Sequence, residues 1–162
     1  MAAHGRLPGP PLWNCFWLTL PALAFNALLA GRLPPAFQPG IFWQDIPPVL
    51  GLVENVFRAA ALGLTLFMPV DRGARGGLAL YAAGTLAYMA SWLPLVLAPG
   101  SAWSTSAAGF LAPALTPALW LAGIGMAGAG RSRALTALYG ASAAIFLAAH
   151  VSHALLVWSR LA

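Results

Sequence analysis

Five long apolar runs, separated by polar or Gly/Pro-rich breaks, organise the chain at about residues 12–30, 47–70, 78–98, 107–128 and 134–158. A helix rises about 1.5 Å per residue, so roughly 20 apolar residues cross a hydrocarbon core about 30 Å thick. Each run has close to that length. The pattern predicts an all-α, polytopic membrane bundle of five transmembrane helices, forming a single domain over residues 1–162. His4 and Arg6 precede the first run in the manner of a signal peptide. That run exceeds a signal core, contains Pro21 and is followed by further spans, so it is expected to be retained. Asp45 stands where it would cap the second helix, with Pro47 and Pro48 in the first turn, where a missing N–H costs nothing. Pro113 and Pro117 sit inside the fourth run and free the carbonyls of Gly109 and Pro113, which a neighbour or a wet cavity must then satisfy. Connections this short predict that successive helices are antiparallel neighbours.

Composition agrees with the pattern. Sixty per cent of the 162 residues are apolar and only 7% are charged, with mean hydropathy +0.80. Soluble domains carry about 25% charged residues, so no portion of the chain is left to form a soluble enzyme on a membrane anchor. Eight basic residues, all Arg, stand against three acidic ones for a net charge of +5. Most of them flank apolar runs, so the bilayer is the expected partner and nucleic acid is not. With Arg6, Arg72, Arg75, Arg131 and Arg133 on one side and Arg32 and Arg160 on the other, the excess of positive charge places the N-terminus in the cytoplasm and the C-terminus outside. The Arg-only basicity, with abundant Ala, Leu, Gly and Pro, fits a GC-rich bacterial genome and hence a bacterial cytoplasmic (inner) membrane. The single cysteine, Cys15, has no partner for an intrachain disulfide.

A few residues do not belong in lipid. Glu54, Asn55 and Arg58 lie within the second run, and charge at membrane depth costs about 2.5–3.5 kcal/mol per residue on insertion scales. Glu54 and Arg58, four apart, share a helix face in the favourable order. Counted from the run's start they lie roughly 10 Å and 16 Å deep. His150 and His153 share a face of the fifth run, roughly 12 Å and 8 Å below the same surface. Tyr81, Thr85, Tyr88 and Trp92 form one stripe on the third run, Asn26 ends a polar face on the first, and Thr116 accompanies the prolines of the fourth. Read blandly, Glu54–Arg58 is a structural ion pair and the aromatic stripe is packing.

Read together, they predict a pocket in the outer half of the bundle lined by Asn26, Glu54, Asn55, Arg58, Tyr88, Trp92, Thr116, His150 and His153, with Trp43 and Trp103 at its rim. Such a pocket would bind or transport a small anionic or amphipathic ligand, Arg58 holding the charge and the aromatics covering the apolar body. Two other readings stay open: an accessory or assembly subunit that pairs with a membrane partner or with its own copy, and a membrane-embedded acid–base enzyme using Glu54 and the histidines. No nucleophile motif, phosphate loop or metalloprotease signature accompanies the latter. A metal or haem on His150 and His153 would need further ligands beyond one carboxylate, so no cofactor is assigned. The chain's length, five spans, tryptophan content and Trp92-Leu93-Pro94 resemble the tryptophan-rich sensory proteins. Its sequence lacks that family's aromatic loop pattern and late Pro-Tyr…Trp segment, and no residue role is carried over.

Overall fold

A computed structural model describes residues 12–71, 74–130 and 132–161. Residues 1–11, with His4 and Arg6, and also Arg72 and Arg131, lie outside the described residues, so the arginine count behind the orientation rests on sequence. The described residues are helical without strands, and five stretches are long and apolar enough to cross a membrane: Cys15–Arg32, Pro48–Phe67, Arg75–Leu97, Ala107–Ala127 and Arg133–Leu161. In chain order the helices are α1 (Leu20–Leu29), α2 (Pro39–Phe42), α3 (Pro48–Leu64), α4 (Arg75–Leu97), α5 (Ala102–Thr105), α6 (Ala107–Leu115), α7 (Pro117–Ala127) and α8 (Arg133–Leu161).

The first span is less regular than its hydrophobicity predicts. It opens with a 3-10 turn, Cys15–Leu18, capped by the Asn14 side chain, which accepts from the Phe16 N–H at 3.1 Å. Only then does α1 begin, with Pro21 in its first turn. The backbone around Cys15 instead pairs with the end of the second span, the Cys15 N–H donating to the Met68 carbonyl at 2.7 Å and that of Val70 to Trp13 at 3.3 Å. Asp45 does not cap the second span. It adopts a left-handed backbone conformation, φ 53°, which Asp tolerates better than most residues, and α3 starts beyond it with no side-chain cap. The fourth span is broken in two. Pro117 brings no N–H to the Pro113 carbonyl, and the chain restarts as α7 after a tight turn, the Leu119 N–H reaching Thr116 at 3.1 Å.

Successive spans pack as expected in the second half of the chain: the most extensive packing joins α4 to α7, the third span to the fourth, and α6 and α7 also meet α8. The earlier spans depart from chain order, α3 packing chiefly on α8 and α1 resting on α4. Short connections fix direction, whereas small residues and polar pairs select which faces meet. On the α4/α7 seam, a Cβ on Gly84 would stand 2.5 Å from the Trp120 nitrogen, and one on Gly123 would stand 2.4 Å from that of Tyr81. Only glycine allows backbones this close. Between α7 and α8, the buried Tyr139 hydroxyl donates to the Leu121 carbonyl at 2.8 Å.

Candidate functional site

Glu54 is the reason that α3 meets α8. A carboxylate in an apolar bundle is stable only where other groups saturate its oxygens, and on the antiparallel α8 two histidines one turn apart do so. Glu54 is fully buried. Its Oε1 accepts from Arg58, one turn further along α3, and lies 3.0 Å from His150 Nδ1. Oε2 lies 2.6 Å from His153 Nδ1. The far nitrogen of His153, Nε2, is 2.8 Å from the carbonyl of Phe42, the last residue of α2. A carbonyl only accepts, so this nitrogen carries a hydrogen.

Aromatic rings surround the basic members. Phe42 and Trp43 flank His153 at centroid distances of 4.3 and 4.5 Å. Phe146 stacks on His150 at 5.4 Å and takes the Arg58 guanidinium over its face at 5.4 Å. A ring face at this distance stabilises the guanidinium's charge where water is scarce.

Beside the cluster lies a cavity of about 340 Å³ between the spans. Asn26, Arg58, Tyr88 and His150 are the polar residues of its lining, and Phe37, Phe42, Trp92, Phe110, Trp120 and Phe146 are among its aromatic walls. Side-chain exposure falls from 37% at Arg58 to 22% at His150 and zero at Glu54. A molecule in the cavity therefore meets the guanidinium, and the carboxylate stays behind it. The Tyr88 hydroxyl donates to Asn26 Oδ1. The indole nitrogens of Trp92 and Trp120 are buried without a hydrogen bond of good geometry, that of Trp92 beside the Tyr88 hydroxyl.

Of the residues expected at a pocket, Asn26, Arg58, Tyr88, Trp92 and His150 share this cavity, with Glu54 and His153 directly behind them. Two do not join it. The exposed Asn55 turns its amide to the Gly51 carbonyl of its own helix at 2.9 Å, and the Thr116 hydroxyl donates to Ala112 at 2.8 Å. Neither tryptophan forms the expected rim: Trp43 covers His153, and Trp103 packs at Gly109, outside the lining. Sequence reasoning missed the phenylalanines and Trp120. Phe37 and Phe42 sit in a Pro-rich connection that folds back into the bundle, and no periodicity announces that. Phe146 was readable, one turn before His150 on the same face. Among the described residues no group of three or more His, Cys, Asp or Glu is arranged to hold a metal ion. No protein-family model, curated protein or solved structure matches the chain.

Proposed function

We propose that this is a membrane protein that binds an amphipathic organic anion, with the head group against Arg58 and the apolar body between the aromatic walls. The observation that carries the reading is the Arg58 guanidinium, partly exposed at a cavity whose other walls are mostly aromatic and aliphatic, with its carboxylate partner fully buried behind it. A cation at the edge of an apolar cavity favours a ligand with one anionic end and an apolar body, and the volume lies within the roughly 300–1,000 Å³ usual for ligand sites. With the N-terminus in the cytoplasm of a bacterial cell, as the arginines favour, the cavity lies in the outer half of the inner membrane, reached from the outer leaflet or the periplasm.

Tryptophan fluorescence of the protein in nanodiscs provides the test, because Trp92 and Trp120 stand in the wall. Three probes with the same chain are compared: decanesulfonate, decanol and decyltrimethylammonium. Saturable quenching is expected with the sulfonate, at a concentration about tenfold or more below that for the alcohol, as one charge-assisted hydrogen bond implies. Arg58→Gln removes the preference. Equal response to the ammonium and the sulfonate, or a response that never saturates, overturns the proposal.

A further inference from the structure

Glu54 and His153 face each other across 2.6 Å, and the proton between them can be counted. His153 Nε2 is committed as a donor to the Phe42 carbonyl. A bare Nδ1 opposite a bare carboxylate oxygen would set acceptor against acceptor at hydrogen-bond distance, so the contact holds a proton. Whether that proton rides on nitrogen or oxygen, Glu54 and His153 together are neutral. Oε1 takes its hydrogens from Arg58 and from His150 Nδ1. With His150 a neutral ring, Arg58 remains, and the cluster as a whole carries one positive charge.

Among the described residues no carboxylate other than Glu54 is paired with the cluster. From α3 the only charged groups are Glu54 and Arg58, and from α8 His150 and His153 face the cluster, while Tyr139 donates to the Leu121 carbonyl, Arg160 to the Gln44 carbonyl, and Arg133 stands at the opposite end of the helix. Across the cavity α4 presents the Tyr88 phenol, α1 the neutral Asn26, and α6 and α7 no ionisable side chain. The segment around α2 gives a backbone carbonyl and two rings, followed by the exposed Asp45 and by Gln44, whose carbonyl accepts from Arg160. A lone positive charge in a low-dielectric bundle is unfavourable. Two events restore neutrality: departure of the shared proton, or arrival of an anion at Arg58.

From this, and resting on the anion-binding reading above, we infer that the site is proton-coupled: one anion at Arg58 and one proton at Glu54/His153 bind together as an electrically neutral load. The proton comes from the aqueous phase, settles between Glu54 Oε2 and His153 Nδ1, and returns to water when the anion leaves. A ligand carried across the membrane this way would move as a symported pair with no net charge.

Decanesulfonate suits the test, since its own charge is constant over about pH 5 to 8, the range in which histidine-based sites commonly titrate. In nanodiscs its dissociation constant is expected to rise with pH, approaching about tenfold per unit for one linked proton. Glu54→Gln should flatten the profile: its amide N–H serves His153 Nδ1, its amide oxygen still accepts from Arg58 and His150, and no shared proton can leave. A constant dissociation constant in the wild type, or an E54Q slope equal to the wild type's, overturns the inference. Should E54Q fail to fold, proton uptake by the wild type in weakly buffered solution decides. Uptake approaching one proton per anion at the upper end of the range supports coupling, and zero uptake across the whole range refutes it. Absence of saturable binding at every pH is a different failure: it removes the anion site, and the coupling with it.

Discussion

Arg58 has two tasks, completing the Glu54 shell and presenting charge to the cavity, and substitutions separate them. Arg58→Leu removes one of three partners from a buried carboxylate. Loss of a partner from a buried ion pair costs about 3–5 kcal/mol, and the two remaining histidine contacts place this variant at the low end. Arg58→Lys keeps a cation and should melt closer to wild type. Thermal unfolding in detergent checks the order, and equal melting of R58L and wild type would show that the pair bears no structural load. Charge is also why these residues could be recognised in the sequence. Glu54, Arg58, His150 and His153 interrupt apolar runs at spacings of four and three, and counting rise per residue puts both elements at one level. Asn55 was drawn in as a polar residue at membrane depth three positions before Arg58, yet its amide turns to the Gly51 carbonyl of its own helix. His153 is the histidine with no exposure, because α2 folds over it.

The elements depend on glycine in a position-specific way. Gly123 lies where α4 and α7 touch, and Gly140 on α8 has open space around its missing Cβ. Gly123→Val must therefore force the seam apart, at a cost of about 1–3 kcal/mol for overpacking. Gly140→Ala should instead be neutral or stabilising by about 0.5–1 kcal/mol, since alanine favours a helix interior over glycine. Parallel melting curves test the contrast, and a G123V variant as stable as G140A would contradict the close approach. Hydrophobicity made all five spans legible, and the prolines of the fourth marked where it breaks. The irregular start of the first span was hidden because apolarity does not distinguish a 3-10 turn from an α-helix. The partners of the first two spans were hidden too, whereas the third, fourth and fifth pack in chain order. Connection length restricts direction, and α3 finds α8 through side chains that no local pattern links.

For the whole molecule, five spans inserted as the sequence predicts would put the two ends of the bundle on opposite sides. The arginines outside and inside the described residues together predict an active alkaline phosphatase fused after Ala162 and a dark green fluorescent protein at the same position; a bright fluorescent fusion with inactive phosphatase would invert the bundle. The separation between Glu54 and its histidines, 96 and 99 residues along the chain, has a consequence for biosynthesis. At about 5–20 residues per second, α3 is made roughly 5–20 s before α8 can reach it. During that interval the carboxylate has only Arg58, four positions away on its own helix and available as soon as the turn forms. For a chain inserted into a bilayer as its apolar helices suggest, the Glu54–Arg58 bond would be a provisional closure that lets the second span leave the insertion machinery nearly neutral, until α8 arrives to complete the shell.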